Sequence, residues 1–351
     1  MNGIWAPAAL AAITGSMVAL PLTPAVLEIL RRKDAGPLPA RKDDGNIRNF
    51  ARSMRRYIAP LREPLAACAQ TGAIQENCLR DGSYALLVGR AGDYGAPEEK
   101  IQTLILFAQS VSLSHRMIFL KDLYAAGDLN GGRQNIFRAV LAEKDVFLGE
   151  ETLVARWLHA GGSVFAGIGS TLHGRLSAET VAILSSGCKF ERVCAPVIVT
   201  TGDALHRGGK YADGTVREFP ALHGKLGRSR IRGDIHFHPG EMFLGNIIAT
   251  GAVRIDENTR ILGSAKAGTH IQLGTGAEVE GSLVSSGRID IGPECLIRGP
   301  VLADKEIVIA GGVQIGSPDS PATVSAPRIR ISPGSRVYGT LWARLEGRVE
   351  E

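Results

Sequence analysis

From about residue 101 onward, apolar residues recur in short alternating runs, apolar–polar–apolar, separated by Gly-rich polar corners. Segments opening at Val253 (VRIDENTRILGS), Ile271 (IQLGTGAEVEGS), Ile289 (IDIGPECLIRGP), Ile307 (IVIAGGVQIGSP) and Ile329 (IRISPGSRVYGT) share this template. Their starts step by 18, 18, 18 and 22 residues, the last step being lengthened by an insertion near Pro318 to Pro327. The template extends upstream to Ile235, and further back to Val181, Val164, Val146, Leu129 and Val111 at steps of 17 or 18, with a partial coil near Val199. Period-two alternation puts Ile289 and Ile291 on one side of a strand and Asp290 on the other. At ~3.3 Å per residue, such a repeat closes one turn of three short strands plus corners. One coil cannot bury its own apolar face, so coils stack and equivalent residues form ladders. The pattern predicts an all-β fold: a single-stranded parallel β-helix of eleven or twelve coils, about 18 residues each, right-handed, with an N-terminal membrane helix.

That helix is expected in residues 4–30, where the only charge is Glu28. Residues 4–22 carry none, close to the ~20 apolar residues that cross a bilayer. Ile4, Trp5, Leu10, Ile13, Val18, Leu20 and Leu22 are the anchor residues, and Pro21 and Pro24 kink or end the helix. Arg31, Arg32, Lys33, Arg41 and Lys42 follow it, and no Lys or Arg precedes it. The positive-inside rule then puts the body on the cytoplasmic side of a bacterial inner membrane, the periplasmic side being the alternative. Next, residues 46–58 place Ile47, Phe50, Met54 and Ile58 at helical spacing on one face. Arg48, Arg52, Arg55 and Arg56 lie largely elsewhere, which suits either an anionic membrane surface or packing on the end of the following domain. The expected organisation is therefore anchor 1–33, basic linker and amphipathic helix 34–100, β-helix 101–345 with a long loop at 203–233, and tail 346–351.

Composition supports a solenoid over a compact aromatic core: Gly is abundant at 43 residues and aromatics are 5%. A net charge of +5 is too modest to imply nucleic acid. The five cysteines fit no zinc spacing and read as small buried thiols, although Cys68 and Cys78 are placed to pair in an oxidising compartment.

The coils that carry "GSLVSSGRIDIG" (residues 281–292) and "GPVLADKEIVIAGG" (residues 299–312) resemble the bactofilins, bacterial polymer-forming proteins with a β-helix core. The resemblance covers roughly the stretch from Ile235 to Leu345. It implies a cytoskeletal scaffold that self-associates without a cofactor and localises cell-envelope or exopolysaccharide biosynthesis proteins, with itself, the membrane and such an enzyme as partners. The longer N-terminal part, the apolar helix and the doubled coil number depart from that family. The apolar residues Val337, Tyr338, Leu341, Trp342 and Leu345 of the last coil are the candidate assembly surface.

The same residues also admit enzymatic readings. An 18-residue coil is also three hexapeptides, as in left-handed β-helix acyltransferases, and the hexad runs through Ile255, Ile261, Ala267 and Leu273. The hexad continues through Val279, Ser285, Ile291, Ile297, Ala303, Ile309 and Ile315, but four positions beyond Val279, Ser285, Ile297 and Ala303 stand the bulky Leu283, Ile289, Val301 and Ile307, where those enzymes have small residues. A periplasmic glycan-binding or glycan-modifying β-helix would use wall carboxylates such as Asp256, Glu257, Glu278, Asp290 and Glu294, which form no evident pair. His236 and His238 share a strand face but lack a third metal ligand at a defined spacing, so they read as solvated. The sequence thus points to no catalytic, cofactor or metal residues and to a non-enzymatic role.

Overall fold

The structure, a computed structural model, describes residues 5–30, 46–79, 81–202 and 227–350. The chain divides into residues 1–46 and a second compact unit, residues 47–351. Helix α1 (Trp5–Leu30) makes up the described part of the first. Its hydroxyls fold back on their own helix: Thr14, Ser16 and Thr23 donate to the carbonyls of Leu10, Ala12 and Ala19 at 2.8, 2.9 and 2.9 Å. Among the described residues no helix is long and apolar enough to cross a membrane, so the spanning helix expected from sequence finds no support here. Pro7, Thr14, Gly15, Ser16 and Pro21 dilute the apolar run.

The second unit is a parallel β-solenoid of about 13 turns and about 18 residues per turn. At the ~4.8 Å spacing of neighbouring strands the stack is roughly 60 Å long. The ladder expected from the repeat is present: Ile235, Val253, Ile271, Ile289, Ile307 and Ile329 pair in succession, coil upon coil. From Val253 onward these side chains are fully buried. Interior corner positions carry small residues. The Cys188 and Cys295 thiols sit there and donate to the carbonyls of Gly167 (3.2 Å) and Gly274 (3.0 Å). Burial pushes the Cys188 thiol up to about 12, so it stays protonated. Cys68 and Cys78 are both free thiols, not a disulfide.

The solenoid begins earlier than residue 101. Strand β1 (Ile74–Cys78) pairs antiparallel with β2 (Tyr84–Val88), and β2 pairs parallel with the strand Leu104–Phe107. In β2 and Leu104–Phe107 the apolar–polar alternation is lost because both faces are largely covered. Helices α2 (Asn49–Tyr57) and α3 (Arg62–Thr71) cover their outer side, where Ala51, Met54, Ile58, Leu61 and Leu65 meet Ala85, Leu87, Leu104, Leu106, Tyr124 and Leu141. The helices therefore lie along a wall, not on an end. Gly89 is the close-approach residue: a Cβ there would stand 1.8 Å from the Cys68 carbonyl oxygen of α3.

At Val181 the register differs by one residue from the expected ladder. Ala182, not Val181, lies over Val164. A slip by one exchanges the faces of a strand, so Val181 and Ile183 point outward and form a separate apolar cluster with Val199.

The solenoid is two stacks. The first ends in the strand Lys189–Thr201, and residues 203–226 lie outside the described set. The second opens with the strand Arg228–Ile231, which pairs with Asn246–Ala249, so the loop expected to reach residue 233 has given way to a coil by residue 228. It was hidden because Arg228, Ser229 and Arg230 are all exposed and join the coil through backbone alone. The second stack ends in the strand Arg336–Val349, past the expected limit of 345. That strand pairs antiparallel with Lys189–Thr201 at three places: Phe190 with Gly347, Val193 with Leu341, and Ile198 with Val337. The two stacks therefore meet last coil to last coil with opposite chain direction. Gly347 is required at this junction, since a Cβ would lie 2.2 Å from the Phe190 ring.

Candidate functional site

Two places bring polar chemistry together. The first is on the helix-covered wall. Its outward positions run Tyr124, Leu141, His159, Ser177, Cys194 and, across the junction, Thr340. His159 is buried, and its Nδ1 lies 2.8 Å from the Ser177 hydroxyl, itself buried. Its Nε2 stands 4.0 Å from Glu179, beyond hydrogen-bond range. Arg48, at the start of α2, holds Glu179 at 2.7 Å, and Arg55 forks onto both oxygens of Glu143, the closest contact being 2.6 Å. Burial, then the positive charges of Arg55 and Arg48, depress His159 to about 4, so its imidazole is neutral at pH 7. The Arg55 fork in turn holds the Glu143 carboxyl below its usual range, against the opposing effect of burial.

Beside this cluster, at the junction of the stacks, lies a groove of about 430 Å³ lined by Arg48, Ser177, Cys194, Pro196, Pro318 and Tyr338. A neutral imidazole on a serine is the beginning of a nucleophile–base pair. Here, however, Ser177 is 3% exposed and the imidazole's far nitrogen stands 4.0 Å from the nearest acid, Glu179. The arrangement is that of a buried polar plug that satisfies the wall beneath α2. A second groove, about 360 Å³, opens between Tyr57, Asp81, Tyr84 and Asp122. Burial raises the Asp122 carboxyl there, and Arg138, 3.0 Å away, opposes that rise.

The second place is on the opening coil of the second stack. His236 and His238 flank the buried Phe237, so both rings point outward, with centroids 4.6 Å apart. The strand Ile235–Phe237 pairs with Val253–Ile255, which brings Asp256 from the next coil beside them. His236 Nε2 is 2.7 Å from Asp256 Oδ2, and Arg254 Nε is 2.9 Å from the other carboxylate oxygen. Those two contacts, Arg254's first, lower the Asp256 carboxyl and keep it ionised. The third ligand that the sequence did not offer is therefore supplied by stacking, 18 residues on from His238. The repeat itself was the signal that could have found it.

The remaining candidates are dispersed. Of the basic residues on the amphipathic helix, Arg48 and Arg55 hold acidic partners within the unit, while Arg52 and Arg56 are exposed. The apolar face of α2 is spent on the solenoid wall, the packing alternative that the sequence left open, although against a wall and not an end. The expected assembly surface is also occupied from within. Val337, Tyr338 and Leu341 are buried at the junction, Trp342 lies 4.9 Å below the Arg192 guanidinium, and only Leu345 stands largely free of cover. Of the anchor residues, Ile4 lies outside the described residues; Trp5, Leu10, Ile13, Val18, Leu20 and Leu22 are exposed on α1. The wall carboxylates Glu278 and Asp290 are held by Arg260 and Arg288, at 2.8 and 2.5 Å. No family model matches the chain, and no curated protein or solved structure matches it either.

Proposed function

We propose that this chain is a self-associating β-solenoid scaffold held at a membrane surface, and that copies join through the opening coil of the second stack. The observation that carries the reading is the tail-to-tail junction. It consumes both last coils and leaves the two first coils as the ends of the rod. Among the described residues, the strands Arg228–Ile231, Ile235–Phe237 and Met242–Leu244 each pair on one side only. Met242 and Leu244 are each 63% exposed, and Phe243 is half-buried. An unpaired edge with apolar side chains is a template for a second chain. At the other end, β1 also has a single pairing and presents Gln75, Glu76 and Asn77 beside the exposed Ile74, an edge more polar than Met242–Leu244 and less apt to add a strand. Two copies meeting at like ends give a closed twofold joint.

Helix α1 supplies the tether on this reading. Its exposed positions from Pro7 to Thr23 carry no charge and no polar face, and such a helix needs apolar surroundings. The resemblance to bactofilins supports the wider role: a rod at the cytoplasmic face of the inner membrane that gathers proteins building the envelope or exopolysaccharide.

Full-length protein in mild detergent tests the joint by light scattering and negative-stain electron microscopy. Rods about twice the length of one chain's solenoid, roughly 120 Å by strand spacing, are expected, and they shorten when Met242 and Leu244 are both changed to Lys. A strictly monomeric particle at high concentration overturns the reading. Flotation with anionic vesicles, lost when residues 1–30 are removed, checks the tether separately.

A further inference from the structure

We propose that His236, His238 and Asp256 form a site for a divalent transition-metal cation of the zinc class, stapling the opening coil of the second stack to the coil beneath it. The proposal stands on local geometry and does not depend on the rod being a scaffold. Each residue offers one donor atom, and the three atoms all lie within 4.8 Å of one another. Zinc takes imidazole nitrogen and carboxylate oxygen at about 2.0–2.2 Å, which sets its donors roughly 3–3.5 Å apart. His236 and Asp256 meet at 2.7 Å in a hydrogen bond, so the ion takes the place of the shared proton as that pair opens slightly, and a side-chain rotation of His238 closes the set. Both histidines are exposed, so that rotation displaces no packed group.

Backbone register makes the placement rigid. His236 lies opposite Arg254 in the ladder, so the next outward position on each strand puts His238 beside Asp256. Arg254 binds the carboxylate through Oδ1, which leaves Oδ2 as the donor facing the imidazoles. Two nitrogens and one oxygen suit zinc, cobalt or nickel and disfavour magnesium or calcium, which prefer all-oxygen shells. Three protein ligands leave a fourth position open to solvent at the end of the stack, where water or a ligand from outside completes the shell.

The purified full-length chain, stripped with chelator, tests this by titration with zinc chloride and with cobalt chloride. One ion per chain at micromolar affinity or tighter is expected, with the visible absorption of tetrahedral cobalt. His236→Ala, His238→Ala and Asp256→Asn should each weaken binding ten-fold or more, with magnesium failing to compete. Hydrogen exchange adds a readout that binding elsewhere would not move: zinc should slow the amides of residues 235–244 and 253–256. Because these side chains are on the outer face, the variants should keep the wild-type circular dichroism. Zinc affinity unchanged in the His236→Ala/His238→Ala double variant, absence of zinc binding, or zinc binding without protection of those amides overturns the proposal.

Discussion

At the scale of single residues, His159 is the position where the chemistry of the wall is most sensitive to conditions. Its folded pKa of about 4 lies below the unfolded reference of about 6.5. The group is thus neutral in the folded protein at pH values where the unfolded chain already binds a proton. Its contribution to stability is whole above pH ~6.5 and falls as the pH drops toward about 4, by roughly 3 kcal/mol in total. Below that, both states are protonated and no further loss comes from this residue. Urea midpoints at pH 7.5 and 4.5 check it: wild type should lose markedly more than His159→Gln over that interval. Equal losses in the two proteins would assign the acid sensitivity to other groups.

At the scale of elements, α2 owes its position to burial of Ala51, Met54 and Ile58 and to the Arg55–Glu143 fork. The helix spans only nine residues, too short to persist on propensity alone. Its persistence is a property of the wall, and the wall in turn needs it, since Leu106 and Leu141 face outward beneath it. Arg55→Ala leaves a half-buried carboxylate without its fork and is expected to cost about 1–2 kcal/mol. Limited proteolysis should then cut within residues 46–79 several times faster, with little change in the β signal of circular dichroism. An Arg55→Glu/Glu143→Arg exchange should recover part of the loss; a cleavage rate indifferent to Arg55→Ala would show that apolar contacts alone hold the helix.

At the scale of the whole molecule, stability in a stacked fold is a sum of neighbouring interfaces, and one interface here differs from the rest. Every coil-to-coil contact of the described solenoid is parallel except the hairpin at β1 and the junction between the stacks. Leu341 is fully buried at that junction opposite Val193. Leu341→Asp puts an unpaired charge there at a cost of several kcal/mol. The expected outcome is local: hydrogen exchange accelerates in Lys189–Thr201 and Arg336–Val349, while the amides of the Ile271, Ile289 and Ile307 strands keep their protection. Uniform loss of protection would mean the two stacks fold as one cooperative body. The junction also explains why the apolar last coil does not face a second copy: a chain that doubles back has already supplied the partner.

The eighteen-residue spacing by itself determined the coil, the stacked isoleucine ladder and the register from Ile235 to Ile329, because a strand open to water on one face must alternate. The same rule failed at Tyr84–Val88 and Leu104–Phe107, where helices cover the second face and alternation no longer carries information. It slipped at Val181 for a similar reason, since apolar residues fill both sides of that strand. The direction of the second stack, the burial of the last coil, and the meeting of His236 and His238 with Asp256 were decided only in three dimensions. The first two depend on which coil lies against which, which neither the period nor the composition of the chain records; the third follows from the 18-residue step only once the coils are stacked in register.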